Sequence, residues 1–235
     1  MQAGAGGCEW QAGTQWLPGL GDEEVREAER RWGITFPPDY RLFLQRLHSV
    51  DRPNLCAGYV AEGESPQTAQ AEGALATAYI KEFRQYMVLE EGPSFYNWLT
   101  DTEAIQGRFD WLVEGLQFDV EHNVLWRESW GPKPSTLEAQ KERVRALVAA
   151  APKLVPVFAH RYLLAEPCQA GNPVLSVYES DIIVYGYDLR SYFLMEFYER
   201  LGLEHAEIEG MVTKEINARF AQYEAIPFWG ELLGA

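Results

Sequence analysis

Residues 152–189 decide the fold, and they read PKLVPVFAHRYLLAEPCQAGNPVLSVYESDIIVYGYDL. Within them lie three short apolar runs rich in Val, Ile and Tyr, which are Leu154–Ala159, Val174–Tyr178 and Ile182–Tyr185. Turn-forming residues such as Gly, Asn, Pro, Ser and Asp separate the runs. Short runs of this composition between turn residues predict β-strands. The stretch therefore predicts the central sheet of a globular core.

Two helices are predicted after this sheet. Gly186 ends the last strand, and Asp188 can cap a helix that runs to about Leu201. A second helix is predicted from about Glu204 to Tyr223, because its apolar residues recur on one helical face.

Two further helices are predicted near the beginning of the chain. Asp22 opens the first, which has acidic residues in its first turn, basic residues in its last turn and Gly33 just beyond. This order suits the helix dipole and a glycine C-cap. The second begins at Pro37-Pro38-Asp39, since proline is favoured at the first helical positions.

Other segments predict irregular or short structure. Residues 1–15 are rich in Gly and Ala and are predicted to be a flexible N-terminus. Residues 61–77 contain no basic residue and many Gly, Ser, Gln and Ala, which predicts an exposed loop. The type of the segment from Ala78 to Leu89 stays open.

The middle of the chain predicts a β-hairpin between two helical stretches. In residues 115–131 Leu116, Phe118 and Val120 alternate with polar residues before the turn sequence Glu-His-Asn. Residues 92–112 predict a helical stretch before it, and a helix beginning after Ser135 and stopping at Pro152 is predicted to follow.

This order of elements predicts an α+β fold with a mixed or antiparallel central sheet and helices packed around it. No Pro- or Ser-rich linker separates two cores, so residues 16–235 are expected to form a single domain. The formal charge of −15 predicts repulsion from nucleic acid and anionic membranes. A cytoplasmic location is expected, because the sequence shows neither a signal peptide nor a long apolar run.

Several motifs of the central stretch resemble the SUKH superfamily, which includes fungal Smi/Knr cell-wall regulators and bacterial immunity proteins. The residues that carry this resemblance are His160, Arg161, Gly171, Asn172, Pro173, Ser176, Asp181, Tyr185, Gly186 and Asp188. The segment Leu17–Leu47 is similar to the family's opening, in which a Gly-hydrophobic-x-hydrophobic-Pro link joins two helices. After the second helix many family members have a glycine pair, whereas this chain has His48-Ser49-Val50-Asp51.

The resemblance implies a binding protein with an α+β fold. No cofactor is expected. Bacterial members typically neutralise a cognate toxin, so toxin immunity is the leading expectation. A regulatory protein–protein interaction module of the Smi/Knr type is the alternative. Because proteins of one fold can have different functions, the kind of partner has to be inferred from the residues on the surface.

Enzymatic and metal-binding alternatives find little support in the sequence. Ser176, His160 and Asp181 could be drawn as a hydrolase triad, but no nucleophile-elbow glycine pattern surrounds the serine. We instead expect His160 and Arg161 to form hydrogen bonds within the fold, with Asp181 as an ion partner. No His or Cys spacing typical of a metal site occurs in the sequence, and no metal is expected.

The acidic middle of the chain is the candidate partner-binding surface. Between Leu99 and Trp130 there are seven acidic residues and two basic residues, with tryptophans among them. Carboxylates around an aromatic anchor suit a protein that blocks a basic toxin domain, although an ordinary solvated face would look the same. The candidate binding residues are Asp110, Glu114, Asp119, Glu121, Trp126 and Tyr187. The loop at 61–77 is a possible contributor, and a monomer or weak dimer is expected.

Overall fold

The computed structural model describes residues 8–52, 54–59, 76–80, 85–91, 94–199 and 201–234. The helices in these residues are α1 (Asp22–Trp32), α2 (Pro38–Arg46), α3 (Thr102–Glu121), α4 (Leu137–Ala150), α5 (Leu189–Phe197) and α6 (His205–Glu224). The strands are β1 (Cys8–Trp10), β2 (Trp16–Pro18), β3 (Leu47–Val50), β4 (Asn54–Tyr59), β5 (Ala76–Ile80), β6 (Gln85–Glu91), β7 (Leu154–Phe158), β8 (Arg161–Leu164), β9 (Val174–Tyr178) and β10 (Asp181–Gly186). Short 3₁₀ helices lie at Glu128–Trp130 and Gly230–Leu232.

The strands form antiparallel sheets, so the predicted α+β class is confirmed. One sheet has the order β1-β4-β6-β5, a second has the order β10-β9-β8-β7, and β2 pairs with β3. The segment 8–10, inside the predicted flexible N-terminus, is a strand. Most of the loop predicted at 61–77 lies outside the described residues.

The sheet β10-β9-β8-β7 is the predicted central sheet, and apolar side chains cover both of its faces. Along β8 and β9, Leu163 and Val174 belong to one buried cluster, whereas Tyr162 and Leu175 belong to the other. This division follows from the alternation of side chains along a strand. The strand β8 is absent from the prediction because it is only four residues long and begins with the charged residue Arg161. The single sheet thus joins the two halves of the core.

The predicted helices α1, α2, α4, α5 and α6 are all present, although α5 ends at Phe197 and not near Leu201 as predicted. Two of the helix ends show the predicted chemistry. Gly33 adopts the left-handed conformation, with φ of 60°, at the C-cap of α1. Asp188 caps α5 by accepting a hydrogen bond of 2.7 Å from the backbone N–H of Ser191. The strand before α5 ends in Gly186, where an added Cβ would lie only 2.7 Å from the backbone nitrogen of Tyr192.

The predicted hairpin at 115–131 is wrong, because residues 102–121 form one long helix, α3. The helical stretch predicted at 92–112 is correct for residues 102–112, which belong to α3, and wrong for residues 94–101, which are not helical, while residues 92–93 lie outside the described ranges. The alternation of Leu116, Phe118 and Val120 is misleading, since Leu116 and Val120 are buried one helical turn apart while Phe118 is exposed.

The outer edge of the central sheet is covered by the C-terminal segment. Leu233 forms a parallel bridge with Ile182 of β10, and the backbone N–H of Gly234 donates to the carbonyl of Ile182 at 3.1 Å. The segment is anchored nearby by Trp229, whose indole N–H donates to the carbonyl of Pro152 at 2.8 Å.

Candidate functional site

The outer side of α3 presents acidic and apolar side chains to solvent. Asp110, Glu114 and Phe118 recur every four residues and therefore share one side of the helix. All three are exposed, and Phe118 keeps 49% of its surface accessible. Glu121 lies exposed at the end of the same helix. We call these four residues the α3 face.

One carboxylate of the α3 face is already paired. The ammonium group of Lys141 on α4 donates to Glu121 at 2.6 Å and lowers the pKa of that carboxyl group. Asp110 accepts a hydrogen bond of 2.8 Å from the side chain of Gln106. Glu114 and Asp110 therefore offer the negative charge that a basic partner would meet.

Asp119 does not belong to this surface, so its prediction as a partner-binding residue is wrong. It is 6% exposed and lies on the buried side of α3 with Leu112 and Leu116. Its carboxylate accepts hydrogen bonds from the backbone N–H of Ser180, at 2.9 Å, and from the Ser180 hydroxyl. Asp119 therefore positions the turn between β9 and β10 rather than meeting a partner.

Trp126 and Tyr187 also lie away from the α3 face. The half-buried indole of Trp126 donates to the carbonyl of Gly131 at 3.0 Å and packs edge-on against Trp130. Tyr187 packs against the core, with the guanidinium of Arg219 5.0 Å from its ring centroid. Phe118 is therefore the remaining candidate for an aromatic anchor of a partner. The predicted hairpin had placed its side chain on the core face.

The family-like residues of β8 and β9 form a polar network. Arg161 donates to Ser176 Oγ at 2.6 Å and to Glu196 at 3.3 Å. It also contacts His160 Nε2, and its guanidinium lies 3.9 Å from the ring centroid of Tyr185. The carboxylate that pairs with Arg161 is thus Glu196, not Asp181.

The pairing of Glu196 with Arg161 was not predicted, although the sequence around Glu196 indicates it. It is the single acidic residue within α5, whose sequence is LRSYFLMEF. A carboxylate among apolar residues of a packed helix indicates an internal ion pair. Burial raises the pKa of Glu196, and Arg161 opposes that increase.

The network does not form a hydrolase triad. Burial, together with Arg161 and Arg108, lowers the pKa of His160 to about 4. Ser176 accepts its hydrogen bond from Arg161, and the same guanidinium contacts the histidine nitrogen. A general base must instead reach the nucleophile directly. In the part of the chain that the structure describes, neither Ser176 nor Asp181 is hydrogen-bonded to His160.

The remaining family-like residues shape the backbone. Gly171 has a φ of 82°, and its N–H donates to Asp39 at 2.9 Å. Asn172 is 2% exposed and donates to the carbonyls of Leu164 and Pro167, both at 2.8 Å. Pro173 accepts from the N–H of Leu164. These contacts hold the β8–β9 connection in place.

No cluster of three or more His, Cys, Asp or Glu side chains suited to a metal ion occurs in the described ranges. None of the described helices is long and apolar enough to cross a membrane.

Comparisons with protein families, curated proteins and solved structures give no match. The functional assignment therefore rests on the α3 face and on the resemblance carried by the central stretch.

Proposed function

We propose that this protein is a non-catalytic binding protein that acts in the cytoplasm as an immunity protein and neutralises a basic domain of a bacterial toxin. The observation that carries the proposal is the α3 face, where exposed carboxylates lie on the same side of the helix as the half-exposed Phe118. The resemblance of the central stretch to the SUKH superfamily supports the same class.

The physical roles of the two kinds of residue differ. Asp110 and Glu114 add to a net charge of −15 and would accelerate encounter with a basic surface. Phe118 would enter an apolar pocket at the centre of the interface, and burial of such an anchor mainly slows dissociation. A toxin that handles an anionic substrate carries a basic cleft of the kind this face would fill.

The test begins with the genes beside the one that encodes this protein. A neighbouring gene for a large modular toxin supplies the partner, and co-expression should protect cells from it. An isolated position among cell-envelope genes would favour the regulatory module instead.

Binding kinetics then test the face itself. In Asp110→Lys/Glu114→Lys we expect the association rate at low salt to fall by about tenfold and its salt dependence to weaken. Phe118→Ala should raise the dissociation rate, with a loss of about 2–4 kcal/mol. The matched control is Glu207→Lys/Glu209→Lys on α6, which changes the net charge equally at two exposed positions. Equal effects of both double variants, or none, would remove the α3 face from the interface.

A further inference from the structure

A cleft lies between α2 and α5. It is lined by side chains from residues 39–46 and 188–194 together with Gly171, and its volume is about 510 Å³. Sites for small organic molecules are concave and usually measure about 300–1,000 Å³. The half-buried rings of Phe43 and Phe193 belong to the lining and contact each other, with centroids 5.0 Å apart. We call this feature the α2–α5 cleft, and it is large enough for one small molecule.

Apolar side chains dominate the lining of the α2–α5 cleft. Besides the two phenyl rings, the lining includes Leu42, Leu189 and Leu194. Leu42 keeps 54% of its surface accessible, whereas Leu189 is buried and Leu194 is half-buried. A scattered exposed leucine needs no explanation, but one that adjoins phenyl rings in a concave surface can bury an apolar group of a ligand. The cleft thus suits an aliphatic chain.

Two arginines also line the cleft, Arg46 on α2 and Arg190 on α5. Both are exposed, and neither forms an ion pair with a carboxylate within the part of the chain that the structure describes. Arg41, on the same helix as Arg46, instead pairs with Glu29 at 3.1 Å. A guanidinium group presents several N–H donors in one plane and can bind both oxygens of a carboxylate. Arg46 and Arg190 can therefore bind an anionic group of a ligand.

The two aspartates in the lining are already engaged by backbone donors. Asp39 accepts a hydrogen bond of 2.9 Å from the N–H of Gly171, and Asp188 accepts one of 2.7 Å from the N–H of Ser191. Arg46 follows Asp39 by seven residues on α2, which corresponds to about 10 Å along the helix axis. An anion held at Arg46 therefore lies away from the carboxylate of Asp39. With two arginines and two aspartates the lining is formally neutral, on a protein whose net charge is −15.

We propose that the α2–α5 cleft binds a medium-chain aliphatic carboxylate, which is an amphipathic anion with a single acidic head. The carboxylate accepts hydrogen bonds from the guanidinium groups of Arg46 and Arg190, and the aliphatic chain packs on Phe43, Phe193 and Leu42. Charge complementarity selects this class, because the two arginines repel an amphipathic cation and gain no partner from a neutral chain. The inference does not depend on the proposed function, since none of these residues belongs to the α3 face.

The test is a titration of the ¹⁵N-labelled protein with octanoate, butanoate and octylammonium, followed by nuclear magnetic resonance. We expect octanoate to shift the amide signals of α2 and α5 with a Kd below about 10 mM. Butanoate should bind at least about tenfold more weakly, because it has four methylenes fewer and each fully buried methylene contributes about fourfold in affinity. Octylammonium should also bind these helices at least about tenfold more weakly, although the negative protein attracts it elsewhere.

Two outcomes would overturn the proposal. One is octylammonium or butanoate shifting the signals of α2 and α5 with the same affinity as octanoate. The other is the absence of shifts in these helices up to about 10 mM octanoate.

Variants locate the acidic head and the chain of the ligand. Arg46→Gln/Arg190→Gln should lower octanoate affinity about tenfold or more and remove its advantage over octylammonium. Leu42→Ala should lower octanoate affinity about twofold to fivefold, because it removes part of the apolar lining. The matched control is Arg26→Gln/Arg145→Gln, which removes the same charge at two exposed helical positions outside the cleft and should bind like the natural protein. Unchanged octanoate affinity in Arg46→Gln/Arg190→Gln, or an equal loss in the control, would refute the assignment.

Discussion

The buried carboxylate of Asp119 stabilises the fold. Its two hydrogen bonds from Ser180 fix the β9–β10 turn against α3. In Asp119→Ala both donors of Ser180 lose their acceptor, so we expect the free energy of unfolding to fall by about 1–3 kcal/mol. Urea unfolding measures this loss.

Glu121→Ala is the natural comparison, because that side chain is exposed and its pair with Lys141 lies at the surface. Its effect should stay within about 1 kcal/mol. If the two substitutions cost the same, Asp119 does not have the structural role assigned to it.

His160 should make stability depend on pH. Its pKa is lowered in the folded protein from 6.5 to about 4, so the folded state disfavours the charged form. The unfolded chain therefore gains a proton first as the pH falls, and the stability present above pH 6.5 is lost toward pH 4. The full difference would correspond to about 3 kcal/mol, and solvent screening at this half-buried site reduces it to about 1–2 kcal/mol.

His160→Gln isolates this contribution, because glutamine cannot gain the proton. The difference in unfolding free energy between the natural protein and the variant should shrink or change sign from pH 7 to pH 4. Glu196, whose pKa is raised, gives the opposite slope in both proteins and cancels in the difference. Parallel pH profiles would show that His160 titrates normally.

At the scale of single elements, Gly186 controls how closely α5 approaches β10. A methyl group there would meet backbone atoms of Tyr192 at 2.7 Å, and backbone cannot move aside as a side chain can. We expect Gly186→Ala to lower the unfolding free energy by about 1–3 kcal/mol.

Gly107→Ala gives the contrasting result. Gly107 lies within α3 with nothing within 4 Å of an added Cβ. Alanine there should stabilise the protein by about 0.5–1 kcal/mol, since glycine loses more backbone freedom in a helix. If Gly107→Ala lowered stability as much as Gly186→Ala, the space available for a Cβ would not explain the effect of either substitution.

Elements are predictable from the sequence where the residues at their ends have a local capping role. Gly33 and Asp188 mark helix ends because a left-handed C-cap and a side-chain N-cap are local requirements. The limits of α3 were missed because its pattern supports both periods. The spacing of Leu116 and Val120 fits both a strand and a helix. The burial of Leu112 and Asp119 on the same side of the segment is what identifies it as a helix.

The candidate site was predictable only in part for the same reason. The acidic character of Asp110 and Glu114 follows from composition, but the exposure of Phe118 depends on the helix being recognised. The ion pair between Arg161 and Glu196 joins residues 35 positions apart, so spacing alone could not reveal it.

At the scale of the whole molecule, the central sheet makes the two core clusters one unit. Leu163 on β8 and Leu175 on β9 are both fully buried but face opposite clusters. Leu163→Ala and Leu175→Ala should each cost about 2–5 kcal/mol and lower the midpoint of one shared thermal transition.

Calorimetry checks this prediction through the agreement of the calorimetric and van't Hoff enthalpies. Leu42→Ala, at a position that is 54% exposed, serves as the control and should change stability by less than about 0.5 kcal/mol. Two separate transitions, each shifted by only one of the core substitutions, would show that the halves unfold independently.

The C-terminal segment beside β10 affects whether the edge of the central sheet can pair with another copy of the protein. An uncovered edge strand offers unpaired backbone groups to any other chain and promotes stacking into aggregates. Here the hydrogen bond from Gly234 occupies the carbonyl of Ile182, and Leu233 lies beside the same strand. Because Leu233 and Gly234 cover this part of β10, we expect them to hinder pairing of that edge with another chain.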